Sequence, residues 1–114
     1  MKLPSKIKFA DEKVKKAFEE LEHSTTEDKT LYRFLKQAFE NLEADAFSGI
    51  QIPKKQIPKA FLQKYEIDNC WKYNLPNAWR LFYSVGREEV TVVSIVLEWD
   101  KHKKYDRKFG YKTS

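Results

Sequence analysis

Cysteine is almost missing from this sequence: Cys70 is the single one in 114 residues. One thiol excludes an internal disulfide and leaves no cysteine cluster for a zinc site. Histidine is nearly as scarce, and His23 and His102 stand too far apart to suggest a shared metal, so neither a metal nor another cofactor is expected. Long apolar runs are absent too. Nothing approaches the ~18–20 residues of a membrane-spanning helix, and no membrane partner is expected. The basic start, Met1 to Lys6, leads into no apolar signal-peptide core. No internal repeat or low-complexity tract occurs. The expectation is a soluble, cytoplasmic chain folded as a single domain over residues 1–114.

Apolar surface is present in sufficient amount. Hydrophobic residues make up 41% of the 13.6 kDa chain and aromatics 15%, enough for one core. The net charge of +5 is unevenly spread. Residues 1–46 carry nine Lys/Arg and ten Asp/Glu, whereas residues 47–114 carry thirteen against seven. An excess of +6 in the second part is the footprint of a polyanion binder or of a solubilising lysine surface.

Periodicity supplies the elements. Lys6 to Phe9 alternates polar and apolar, as a half-buried strand does. Asp11 is a good N-cap for a helix whose stripe is Val14, Ala17, Phe18 and Leu21. His23 falls in the following turn, at the surface. Ser24 and Glu27 have capping-box spacing ahead of a second helix with Leu31, Phe34, Leu35, Ala38, Phe39 and Leu42 on its buried face. That helix should end before Ser48-Gly49 and pack on the first as an antiparallel hairpin. Pro53 and Pro58 bar regular helix from Gly49 to Lys59, although Pro58 suits the start of one helical turn through Phe61 to Tyr65. Lys54, Lys55 and Lys59 make this connection basic, either a solvated loop or part of a nucleic-acid groove.

From Asn69 the period is two. Trp71 to Leu75 and Trp79 to Val85 read as strands, with a turn at Gly86-Arg87-Glu88-Glu89. Val90 to Trp99 is a third strand, apolar on both faces up to Glu98, which suits a central position. The charged segment from Asp100 to Lys112 reads as a short helix or an irregular tail. The fold class is α+β: a small, mainly antiparallel sheet in the order β-α-α-β-β-β, with the helical hairpin on one face.

Side-chain pattern sizes the turn between the first two of these three strands. A three-residue loop, Pro76-Asn77-Ala78, pairs Leu75 with Trp79 and Asn74 with Arg80. It places Trp71, Tyr73, Leu75, Trp79, Leu81 and Tyr83 on one face, and Lys72, Asn74 and Arg80 together on the other. A one-residue slip would invert one strand against its neighbour. The loop needs a left-handed residue, Asn77 or Ala78. The run from Glu98 to Lys108 should bring Lys101, His102, Lys103, Tyr105 and Arg107 beside the same sheet. Arginine and lysine hold phosphates; histidine and tyrosine exchange protons.

Cys70-Trp71-Lys72-Tyr73-Asn74-Leu75 followed by Trp79-Arg80-Leu81-Phe82-Tyr83 resembles the central hairpin of the RelE/ParE toxin superfamily. The ending His102-Lys103-Lys104-Tyr105-Asp106 is similar to the His-basic-x-Tyr endings of RelE- and HigB-type members. The resemblance covers most of the chain and is strongest from Asn69 to Tyr105. It implies the toxin of a type II toxin–antitoxin system, a metal-independent endoribonuclease that cuts messenger RNA on the ribosome and is neutralised by a small acidic antitoxin. On that basis Arg80 contacts the scissile phosphate and Lys72 supplies a second cation. His102 or Tyr105 transfers the proton. Asn74, Lys54, Lys55, Lys101, Lys103 and Arg107 line the RNA path. Asn74 stands where RelE has a further lysine, which removes one charge from the site. Two other functions fit the same resemblance: a ParE-like binder of DNA gyrase, and a member that binds RNA or protein without cutting.

Overall fold

The computed structural model describes residues 2–101. β1 (Lys6–Phe9) breaks at Ala10, and the Asp11 side chain accepts the Val14 amide at 2.9 Å to open α1 (Glu12–Leu21). α2 (Thr26–Ala44) is capped one position later than the Ser24/Glu27 spacing predicts. Thr25 accepts the Asp28 amide at 3.2 Å, while the Ser24 hydroxyl is tied to the Asp28 carboxylate at 2.7 Å. Thr25 and Asp28 are also three apart, so the two frames compete in sequence and side-chain hydrogen bonding selects one.

α2 supplies Leu31, Leu35, Ala38, Phe39 and Leu42 to the main core, where they meet Leu75, Leu81, Tyr83 and Val96 of the sheet. α1 has no fully buried residue and is held largely through rings. Phe18 stacks on Tyr32 at 4.7 Å and leans on Phe39 at 5.1 Å. His23 is exposed beside Glu22.

α2 ends at Ala44, before Ser48-Gly49 as expected, though the residue that ends it is Asp45 in an extended conformation rather than the glycine. The Asp45 carboxylate accepts the Leu3 and Phe47 amides, both at 3.0 Å, and these bonds hold its pKa below the ordinary carboxyl value. Gly49 serves close approach instead. A Cβ there would lie 2.5 Å from the Lys72 carbonyl oxygen and 2.7 Å from the Tyr83 hydroxyl.

The proline-rich connection is more ordered than its sequence predicts. It contains a two-residue strand β2 (Ile50–Gln51), a 3-10 turn at Lys54–Gln56, and α3 (Lys59–Tyr65) starting after Pro58. Ile52, Ile57 and Phe61 from this stretch bury Cys70, Phe82 and Leu97 in a second cluster. Helix α3 therefore covers part of the sheet face opposite the α1–α2 hairpin.

The remaining strands are β3 (Trp71–Asn74), β4 (Trp79–Glu88) and β5 (Thr91–Lys101). The five-stranded sheet has the order β1-β5-β4-β3-β2, with β1 parallel to β5 and every other pair antiparallel. The turn expected at Gly86 to Glu89 lies further on. Pairing continues to Glu88 opposite Thr91, and the reversal is made by Glu89, at φ 55°, and Val90. Glycine and charge here mark the solvent end of a hairpin rather than a break in its ladder. β5 also runs past Trp99 to take in Asp100 and Lys101.

The turn between β3 and β4 has the expected register. Leu75 donates to the Trp79 carbonyl at 2.9 Å and Asn74 pairs with Arg80. Both Asn77 (φ 62°) and Ala78 (φ 65°) are left-handed. Alanine in that region costs ~1–2 kcal/mol, which glycine avoids. Ala78→Gly should therefore raise unfolding stability by about 1 kcal/mol, read as a higher urea midpoint; an unchanged or lower midpoint would show that this turn carries no strain.

Candidate anion-binding face of the sheet

The site begins with alternation on β3 and β4. Trp71, Tyr73, Trp79, Leu81 and Tyr83 belong to the helix-side core. Lys72, Asn74 and Arg80 consequently share the opposite face. Asn74 lies directly across from Arg80, and Lys72 sits two pairs further along, opposite Phe82. Ordinary sheet geometry puts such diagonal neighbours ~7–8 Å apart, within reach of one anion for two long cationic side chains. Phe82 is buried under Phe61, with ring centroids 5.9 Å apart. The polar residues occupy the part of the face toward the Pro76–Ala78 turn.

β5 alters the composition of this face. Phe82 pairs with Glu98, but the next residue, Tyr83, pairs with Val96, so Leu97 is an extra residue in a β-bulge. A bulge shifts side-chain parity along the bulged strand. Trp99, opposite Leu81, packs on the helix side, while Glu98 and Asp100 fall in line with Phe82 and Arg80. Two rows result: Ile50, Lys72, Phe82 and Glu98, then Asn74, Arg80 and Asp100. Each cation thus has a carboxylate in its own row.

The bulge also corrects the expectation for Lys101. It pairs with Trp79, on the helix side of the sheet, where its ammonium lies 5.4 Å from the indole centroid and 3.4 Å from Glu27. Without the bulge it would share a face with Arg80. Lys54 and Lys55 are exposed on the 3-10 turn that follows β2. His102, Lys103, Tyr105 and Arg107 lie outside the described residues.

Sequence reading passed over three residues of this region. The Tyr65 hydroxyl donates to Glu98 at 3.1 Å. Burial, reinforced by the Glu98 charge, raises the phenol pKa and keeps it a donor. A hollow of about 300 Å³ adjoins this pair, lined by Lys13 and Val14 of α1, Lys64 and Tyr65 of α3, and Glu98 and Trp99 of β5. Glu98 and Asp100 carry no sequence signal of their position, because Ile95-Val96-Leu97 is apolar on both faces and parity cannot be followed through it.

Electrostatically, the face is a cation pair bordered by two carboxylates. Opposite charges facing each other across strands attract, by ~0.2–1 kcal/mol a pair. Asp100 therefore lowers the positive potential that Arg80 presents to a phosphate. Asp100→Asn should strengthen binding of single-stranded RNA and steepen its salt dependence by about one unit of log–log slope. Titration at two salt concentrations reads this directly, and an unchanged slope would show that this face does not hold the phosphates. No family model, curated protein or solved structure matches this chain.

Proposed function

We propose that this chain is the toxin of a type II toxin–antitoxin pair with a RelE-like arrangement, a metal-independent endoribonuclease that cuts messenger RNA on the ribosome. The observation that carries the reading is the β3–β4 register, which brings Lys72, Asn74 and Arg80 to one face. Cleavage by attack of a 2′-hydroxyl on its own phosphate needs cations where charge grows on the phosphoryl oxygens. It also needs a base for the hydroxyl proton and an acid for the leaving oxygen. Arg80 and Lys72 supply the cations in this reading. His102 and Tyr105 are the proton-transfer residues of the motif, and Lys54 and Lys55 extend the RNA path along the edge. Asp100 stands opposite Arg80 on the next strand.

Primer-extension mapping of cellular transcripts after brief induction tests this, with Arg80→Ala as control. Cuts that appear with the native chain and vanish in the variant support it; transcripts left intact by the native chain refute it. One observation favours a second reading. The carboxylate in each cationic row weakens the phosphate site, as befits a member that binds RNA without cutting. That member would leave transcripts whole while still binding ribosomes in a salt-dependent way.

A further inference from the structure

β5 outruns its neighbour on one side. β1 pairs with it only from Lys6 opposite Val93 to Phe9 opposite Val96. The Ala10 amide then donates to the Val96 carbonyl at 2.9 Å, and the chain turns away into α1. From Leu97 to Lys101, β4 is therefore the only strand beside β5 among the described residues. α1 and α3 flank this vacated edge and leave between them the hollow of about 300 Å³, at the lower end of the ~300–1,000 Å³ usual for small-ligand sites. The hollow is separate from the cationic face. Phe82, buried under Phe61, stands between Lys72 and Glu98 in their row.

The lining changes from apolar to charged toward solvent. Half-buried Val14 and Trp99 supply apolar surface, and half-buried Tyr65 is braced edge-on by the Phe61 ring at 5.7 Å. Glu98 brings a carboxylate that accepts the Tyr65 hydroxyl at 3.1 Å. A carboxylate accepts at about four positions, so that bond does not exhaust it. At the rim Lys13 and Lys64 are exposed, and the Lys64 ammonium lies 5.2 Å from the Tyr65 ring centroid. Neither ammonium is paired with a carboxylate of the described residues.

We propose that this hollow binds a guanine mononucleotide. The base lies against Val14, Tyr65 and Trp99, its adjacent N–H donors meet Glu98, and its 5′-phosphate meets Lys13 and Lys64. Aromatic walls favour a flat ring. An acceptor-only carboxylate favours a base edge with two neighbouring donors, which guanine has. Adenine and cytosine each set a ring-nitrogen acceptor beside the amino group, and uracil flanks its one N–H with carbonyls. Two ammoniums at the rim favour a phosphate. A fatty acid would answer the lysines but lay its chain against the Glu98 charge, at a desolvation cost. Nothing in this inference uses Arg80 or the nuclease reading.

Isothermal titration of the full chain with 5′-GMP, 5′-AMP, guanosine and inorganic phosphate tests it. 5′-GMP should bind about tenfold tighter than 5′-AMP, the discrimination of one bidentate base contact. It should bind about tenfold tighter than guanosine, the contribution of two exposed ion pairs. Lys13→Ala with Lys64→Ala should bring 5′-GMP down to the affinity of guanosine and leave guanosine unchanged. Glu98→Gln, whose amide oxygen still accepts from Tyr65, should abolish the preference for guanine over adenine while 5′-AMP binding persists. No saturable binding of 5′-GMP at millimolar concentration, equal binding of 5′-AMP or of inorganic phosphate, or indifference to Glu98→Gln overturns the proposal. A 5′-phosphorylated RNA trinucleotide beginning with guanosine carries the same group. Affinity at least equal to that of 5′-GMP assigns the hollow to RNA ends, and affinity about tenfold weaker assigns it to the free nucleotide.

Discussion

Arg80→Ala should lower the proposed transcript cleavage by about 10²–10³-fold, the usual cost of losing one preorganised donor to a developing anion. The size follows from geometry. Arg80 sits on a strand paired on both sides, with Asn74 across one ladder and Asp100 across the other, so the backbone that carries its guanidinium is rigid. Arg80→Lys should recover only part of the loss, because an ammonium cannot hold a phosphate in the two-point manner of a guanidinium. Stability should change little in either variant, by no more than the ~0.2–1 kcal/mol of an opposed cross-strand pair. Primer extension measures the first effect and a urea midpoint the second. Cleavage that survives Arg80→Ala would remove this face from the chemistry.

Tyr83→Phe should cost about 2–4 kcal/mol of folding stability. Tyr83 is fully buried, and its hydroxyl donates to the Ala46 carbonyl at 2.7 Å while accepting the Gly49 amide at 3.0 Å. Phenylalanine would fill the same space but abandon both groups, at ~1–3 kcal/mol for each unsatisfied partner. One hydroxyl thereby fixes the chain where it leaves α2 and enters β2. The same burial has a signature in pH. Desolvation pushes the Tyr83 phenol up to about 12 from its ordinary 10.0, and the Cys70 thiol up to about 12 from 9.0. In each case the unfolded chain loses its proton first, so stability is complete below the ordinary value and declines as pH rises toward 12. The urea midpoint should fall between pH 9 and 12, and the decline above pH 10 should be shallower in Tyr83→Phe. A midpoint flat across that range would contradict the buried hydroxyl tie.

Short-range chemistry was legible in the sequence wherever one force dominated. The Asp11 cap, the apolar stripe of α2 and the three-residue turn at Pro76–Ala78 each follow from local patterns. Legibility failed where two patterns were equally good or where the signal lay far away in sequence. Thr25 displaced Ser24 as cap because both had a suitable partner three residues on. Gly49 looked like a helix terminator, yet its constraint comes from Lys72 and Tyr83, more than twenty residues distant. The prolines around Lys54 correctly barred one continuous helix but said nothing of the apolar cover that Ile52, Ile57 and Phe61 provide for Phe82.

The candidate site divides along the same line. By itself the sequence favoured a shared face for Lys72, Asn74 and Arg80, since of the two turn lengths it allows, only the three-residue one keeps the aromatic residues of both strands together on the other face. Only the tertiary structure decided what stands opposite them. One extra residue in β5, Leu97, is accommodated as a bulge because both sheet faces are covered by apolar groups at that point. That single insertion turns Lys101 to the helix side and brings Glu98 and Asp100 to the cations, a choice made by packing between layers rather than by any pattern within the strand.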